Sequence, residues 1–179
     1  RSYTTGDLDT YGRYSLPNYF RIEFRAKVPF EQGMWPAPLW IRPADGSAGE
    51  IDPMESYGRE ADRPIVHQTI HTEYGATHRK SVQPVTFASF GGDATGWNTY
   101  VVEKTEGELR MWVNGVQTAV FNESTTPWYD TYYEAGKRWS LRVSMQVGGG
   151  YGGLPDATTD WSADNTAMLV DYIHTYIPE

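Results

Sequence analysis

The chain has 179 residues, a formal net charge of −8 and no cysteine. This length suits one domain with a substantial core and is too short for two. The lack of cysteine excludes a disulfide framework, a thiol nucleophile and a cysteine metal site. A negative charge without a long basic run argues against nucleic acid or an anionic membrane as partner and suits a neutral ligand.

Aromatic residues are frequent, with seven Trp and thirteen Tyr. This is more than a core of this size requires and indicates an aromatic-lined groove, although tryptophan-rich cores also exist. No apolar run approaches the ~18 residues of a transmembrane helix. No signal peptide opens the chain, so an exported protein would have lost its leader.

Short strands separated by turn signals recur along the chain. In residues 19–28, apolar residues alternate with Arg, Glu and Lys until Pro29, which is typical of a half-buried antiparallel strand. Asn114-Gly115 predicts a hairpin between residues 109–113 and 116–121. With no convincing helix, the pattern predicts an all-β sandwich of two antiparallel sheets. The other predicted strands are residues 65–72, 100–105, 141–147 and 168–176.

The stretch GMWPAPLWIRP, residues 33–43, carries two tryptophans between prolines. The prolines exclude a regular helix. Trp35 and Trp40 therefore have two interpretations, as core residues or as flat platforms on which a sugar ring can lie.

The stretch GEIDPMESY, residues 49–57, contains three carboxylates close together. On a regular strand Glu50 and Asp52 share a face, whereas Glu55 points to the other side. A β-bulge within Pro53-Met54 would return Glu55 to the face of the other two acids. Pro53 suits a bulge, because a residue without an N–H is tolerated there but not inside a regular ladder.

Three acids on one face can perform glycosidase chemistry. A retaining glycosidase needs two carboxyl groups about 5 to 5.5 Å apart, which Glu50 and Glu55 can reach across Asp52. The middle acid would then help to set which outer glutamate keeps its proton. The alternative is a solvated acidic strand that pairs with arginines across the sheet.

Two other patterns bear on function. His67 and His71 share a face of the strand at 65–72, and a histidine beside carboxylates in a cleft explains them better than a metal pair without a third ligand. The glycine-rich residues 148–153 lack the following helix and the lysine of a phosphate loop, which excludes a nucleotide site. Gln146, on the polar face of the strand before them, is a further candidate for substrate binding.

Several motifs in order resemble glycoside hydrolase family 16, the β-jelly-roll endo-glycanases with a concanavalin-like fold. They are YTTGDLDTYGRYSLPNYFRIEFRAKVP, GMWPAPLW, GEIDPMESYG, VHQTIH, WNTYVVEKTEGELRMWVNG, SMQVGGGYGG and MLVDYIHTY. The central motif is similar to that of the laminarinase-like branch with the bulged E-x-D-x-x-E pattern. The family's usual amino-terminal strands have no counterpart before Ser2. We therefore expect residues 1–179 to form a single catalytic domain without those strands.

The resemblance also implies roles for individual residues. It implies that Glu50 is the nucleophile, Asp52 its assisting acid and Glu55 the general acid/base. It implies that Trp35 and Trp40 line the glycone side and that His71 lies near the scissile bond. No cofactor is required, although Asp171 in the VDY motif would be a possible ligand of a structural calcium.

These expectations describe a secreted, monomeric, retaining endo-glycosidase that acts on a polysaccharide, most simply a β-1,3- or β-1,3/1,4-glucan. A galactan-type (agar or carrageenan) hydrolase and a transglycosylase are alternatives within the same family. A lectin on the same jelly roll is the alternative of another class. The acidic triad is the discriminating feature, because a lectin has no reason to keep it.

Overall fold

The computed structural model describes residues 3–58, 64–134 and 136–177. Two antiparallel sheets pack face to face, which confirms the jelly-roll sandwich. The six-stranded sheet has the order β1-β10-β3-β4-β5-β6, and the five-stranded sheet has the order β11-β2-β7-β8-β9. The strands are β1 Asp7–Asp9, β2 Phe20–Lys27, β3 Met34–Pro43, β4 Glu50–Glu55, β5 Ile65–His71, β6 Lys80–Thr86, β7 Asn98–Thr105, β8 Glu108–Val113, β9 Val116–Phe121, β10 Trp139–Val147 and β11 Leu169–Tyr176.

The core lies between the two sheets and follows the alternation of the strands. In β2, every second residue is buried, because successive side chains point to opposite faces. Phe24 stacks on Tyr100 of β7 with ring centroids 5.0 Å apart. From the other sheet, Ile51 and Met54 of β4 enter the same core. Residues of β4 that do not enter this core are left to face the opposite side of their sheet.

Within the described ranges, helical structure is limited to single turns, which the strand-only prediction missed. They are α1 Tyr129–Tyr133, α2 Gly149–Gly152, α3 Ala163–Thr166 and a 3₁₀ turn at Phe87–Phe90. Strands β1 and β6 were also not predicted, because both are sheet edges of mixed polar sequence without a clear apolar alternation. No helix in the described ranges has the length and apolar character needed to cross a bilayer.

Two bulges shape the middle of the six-stranded sheet. On β3, Pro38 and Leu39 stand opposite the single residue Val143 of β10, because the register shifts between Trp40↔Arg142 and Ala37↔Ser144. This extra residue brings Trp35 and Trp40, five positions apart, onto the same side of the sheet. The second bulge lies in β4 and organises the site described next.

Candidate active site

The bulge predicted in β4 is present. Asp52 pairs with Thr69 and Glu55 pairs with His67, so Pro53 and Met54 together oppose Gln68 of β5. The side-chain amide of Gln68 donates to the Pro53 carbonyl at 3.2 Å. The extra residue returns Glu55 to the face of Glu50 and Asp52, away from the core.

The three acids stand at a cleft of about 420 Å³ on the outer face of the six-stranded sheet. They are buried, with 3%, 1% and 6% of Glu50, Asp52 and Glu55 exposed, so a solvated acidic strand is excluded. Asp52 lies beneath the floor of the cleft. The other predicted catalytic residues and the predicted substrate-binding residues line it, namely Glu50, Glu55, Trp35, Trp40, His71 and Gln146.

Glu50 is held by donors to both of its carboxylate oxygens. The guanidinium of Arg42 donates to Oε2, and the hydroxyl of Tyr74 donates to Oε1. Arg42 extends from β3, whereas Tyr74 lies in the turn after β5. A cation and a hydroxyl at this carboxylate stabilise its negative charge, which is the form that can attack a carbon atom.

Glu55 has a different environment. Burial raises its pKa above the ordinary value, and the negative charge of Glu50 raises it further. Hydrogen bonds from the Tyr57 hydroxyl, at 2.8 Å, and from the Trp35 indole, at 2.6 Å, partly oppose this rise. Glu55 is thus suited to hold a proton, and both donors are in place to stabilise the carboxylate after the proton has left.

Asp52 and His71 form a buried pair between the two glutamates. Burial, followed by the charges of Glu50 and Glu55, raises the pKa of Asp52 well above its ordinary value. Burial, followed by the neighbouring cationic side chains, lowers the pKa of His71 to about 3. Oδ2 of Asp52 lies 3.0 Å from Nε2 of His71. The negative charges of Glu50 and Glu55 thus favour the protonated form of Asp52.

The two tryptophans differ in their surroundings. Trp35 is half-buried in the cleft wall and packs edge-on against Tyr57 and Tyr151 at 5.8 and 5.2 Å between ring centroids. Trp40 is only 7% exposed, and the guanidinium groups of Arg42 and Arg142 lie over its ring at 5.1 and 5.2 Å. Trp35 can contact a sugar directly, while Trp40 supports the two arginines at the cleft floor.

Comparison with known proteins decides the family. The model of the family described as 'Glycosyl hydrolases family 16' matches residues 2–174 of this chain. The chain belongs to this family. It is 33% identical to the endo-1,3-1,4-beta-glycanase ExsH of Rhizobium meliloti (strain 1021), covering 97% of this chain and 33% of that protein. It is 33% identical to a beta-glucanase of Rhodothermus marinus, covering 98% of this chain and 63% of that protein.

Solved structures agree with this assignment to family 16. The laminarinase catalytic domain of Thermotoga maritima MSB8 superposes with a TM-score of 0.77 at 26% identity, over 97% of this chain and 69% of that one. The chain spans between a third and two thirds of the two curated relatives above. What those longer proteins do as a whole is therefore transferred below only as a proposal.

Metal binding by this family 16 chain stays a prediction. Asp171 of β11, the possible calcium ligand, accepts a hydrogen bond from Arg25 at 2.7 Å. A guanidinium at this carboxylate disfavours a second cation at the same oxygen, so the contact does not itself build a calcium site. Donor atoms of Glu50, Asp52 and His71 lie within 4.8 Å of one another, but a cation there would compete with Arg42 for Glu50. We assign that group to carboxylate chemistry.

Sequence analysis missed several residues of the site. Arg42 and Tyr57 each lie two positions from a predicted site residue, so the period of a strand could have identified both. Tyr74 and His78 lie in the turn after β5, and Tyr151 lies in the glycine-rich segment. Their position at the cleft depends on how distant segments pack, for which the local sequence carries no signal.

Proposed function

We propose that this chain hydrolyses internal linkages of a β-1,3- or mixed β-1,3-1,4-glucan with retention of the anomeric configuration. The bulge in β4 carries the proposal, because it places Glu50 and Glu55 at one cleft in different environments, Glu50 against the Arg42 guanidinium and Glu55 with a raised pKa. The names of the two bacterial relatives support a β-glucan as substrate.

The reaction follows from these two environments. Glu50 attacks the anomeric carbon while Glu55 transfers its proton to the leaving oxygen, which gives a glycosyl ester on Glu50 and a free sugar hydroxyl. The donors Trp35 and Tyr57 stabilise the new carboxylate of Glu55. Glu55 then takes a proton from water as the water attacks the same carbon, which releases Glu50 and restores the acid.

The walls of the cleft suit a neutral polymer of glucose. The rings of Trp35, Tyr57 and Tyr151 form one continuous aromatic wall, with Tyr57 and Tyr151 stacked at 5.2 Å. Flat apolar rings bind the C–H faces of sugars, and the polar side chains around them can bind sugar hydroxyls. We also propose that the protein is secreted, because a polysaccharide substrate is met outside the cell. We further propose that it acts as a monomer.

The lectin alternative is less consistent with the site. A binding protein gains nothing from three carboxylates buried within one network, since removing charged groups from water costs free energy unless they are compensated. In this chain, Arg42 and Tyr74 compensate Glu50, and Tyr57 and Trp35 compensate Glu55, which is an arrangement that chemistry requires and binding does not.

The test is a substrate panel of laminarin, mixed-linkage β-glucan, agarose, carrageenan and xyloglucan, with products separated by size. We expect short oligosaccharides from the first two and a rapid fall in polymer length, as endo action requires. Polymer binding without new reducing ends would support the lectin, and products longer than the substrate would support transglycosylation. Cleavage confined to agarose or carrageenan would identify a galactan hydrolase.

A further inference from the structure

The nucleophile stands on the terminal pair of its strand ladder. Glu50 is the first residue of β4, His71 is the last residue of β5, and the two pair directly in register. Strand ends fray more readily than strand centres. Yet Glu50 must be fixed for attack, and His71 must be fixed as the partner of Asp52. This end of the ladder therefore needs an anchor from elsewhere in the fold.

The hydroxyl of Tyr133, the last residue of α1, contacts all four polar backbone groups of this pair. It accepts from the amide of Glu50 at 3.2 Å and from the amide of His71 at 3.1 Å. It also lies 2.7 Å from the carbonyl oxygens of Glu50 and His71. A hydroxyl has two acceptor lone pairs and one hydrogen. The two amides fill the lone pairs, and the two carbonyls share the hydrogen.

The ring that carries this hydroxyl is held by the core. Tyr133 is fully buried and stacks between Tyr129, at 5.2 Å and 11°, and Trp139, at 5.7 Å and 12°. Trp139 is the first residue of β10 and pairs with Pro43 of β3. The position of the hydroxyl is therefore set by a ring stack that belongs to neither β4 nor β5, so it can act as a fixed reference for both.

We propose that Tyr133 is a positioning residue for the reaction. Its hydroxyl fixes the backbone of Glu50 and His71 at the end of the ladder, and so fixes the direction of the nucleophile and the contact between His71 and Asp52. The residue is completely buried and does not touch the cleft itself. Its effect on catalysis rests on the function proposed above, whereas its effect on the ladder does not.

Tyr133→Phe tests the proposal, because it removes the hydroxyl and keeps the ring stack. We expect kcat on β-glucan to fall about 10- to 100-fold, since a small displacement of a reacting group is costly. KM should stay within about twofold, because the cleft walls are unchanged. The matched control is Tyr129→Phe, in the same stack, whose buried hydroxyl interacts with the carboxylate of Glu134. It should keep the wild-type kcat.

A folded Tyr133→Phe enzyme with the wild-type kcat, or equal losses in both variants, would overturn the proposal. Amide hydrogen exchange of the wild type gives a second test that needs neither a variant nor a substrate. The amides of Glu50 and His71 should exchange as slowly as those of Ile51 and Ile70, and fast exchange at the terminal pair would contradict the anchor. If no polysaccharide is cleaved at all, the proposed function fails, while exchange still decides the role of the hydroxyl.

Discussion

The two sheets of the sandwich differ in where their ladders are irregular. In the five-stranded sheet, the central β2–β7 and β7–β8 pairs run without a shift, and the register changes only in the outer β11–β2 and β8–β9 pairs. In the six-stranded sheet, the register shifts in three successive central pairs, β10–β3, β3–β4 and β4–β5. The irregular strands carry the site, because a bulge redirects side chains that a regular strand would send to the other face.

Charged residues also behave differently on the two outer faces. On the five-stranded sheet, Arg21 pairs with Glu103 at 3.1 Å with partly exposed side chains, and such pairs contribute little to stability. On the six-stranded sheet, Glu50, Asp52 and Glu55 are buried together, and the charge of Glu50 contributes to the raised pKa of both Asp52 and Glu55. The same residue types are thus solvated partners on one sheet and reactive groups on the other, and the difference is burial.

Replacing Glu50, the proposed nucleophile, should have the largest effect on this contrast between the two sheets. Glu50→Gln keeps the shape of the side chain but cannot attack the anomeric carbon, so we expect kcat to fall roughly 1000-fold or more, about 4 kcal/mol in the barrier. Polysaccharide binding should survive. The measurement is steady-state hydrolysis together with equilibrium binding to the polymer.

Glu103→Gln on the regular sheet is the matched control, with kcat expected to stay at the wild-type value. A Glu50→Gln enzyme that retains more than about a tenth of wild-type kcat, a barrier change of only ~1.4 kcal/mol, would remove Glu50 from the nucleophile role.

Trp40 and Trp97, each of which lies beneath an arginine guanidinium, give the next largest contrast. Trp40 is 7% exposed beneath Arg42 and Arg142, whereas Trp97 is 40% exposed beneath Arg25. Trp40→Ala should lower the free energy of unfolding by about 3 kcal/mol or more and also weaken hydrolysis, because it removes support from the cleft floor. Trp97→Ala should cost about 1 kcal/mol or less and leave hydrolysis intact. Denaturant unfolding and kinetics would measure both, and equal costs would contradict the contrast.

The smallest effect concerns how stability depends on pH. The raised pKa of Asp52 means that above about pH 4 the unfolded chain loses this proton while the folded chain keeps it. This carboxyl therefore makes stability fall as pH rises through the interval between its unfolded and folded pKa values. Asp52→Asn mimics the protonated form, so its Tm relative to wild type should increase from pH 4 towards neutrality.

Asp171→Asn, in an exposed ion pair on the other sheet, is the control and should change Tm little at any pH in that range. A Tm difference between Asp52→Asn and wild type that stays constant from pH 4 to neutrality, or shrinks, would mean that Asp52 does not retain its proton in the folded protein.

The sequence predicted the parts of the site that depend on local geometry. Alternation predicted β2 and β4, and Pro53, which lacks an N–H, indicated the bulge that returns Glu55 to the cleft. The bulge at Pro38 has the same kind of signal and was missed. The contact of Tyr133 with Glu50 joins residues 83 positions apart, so it depends on packing that no local pattern encodes.

Retention of configuration tests the central claim most directly, because it depends on the bulge in β4. With Glu50 and Glu55 at the same sugar, the first product keeps the β configuration, whereas an inverting pair, with carboxyl groups about 6.5 to 9.5 Å apart, gives the α anomer. Proton NMR of the anomeric region in the first minutes of digestion, before mutarotation, separates the two outcomes. We predict an initial β signal, and an initial α signal would contradict the assignment of Glu50 and Glu55 as a retaining pair.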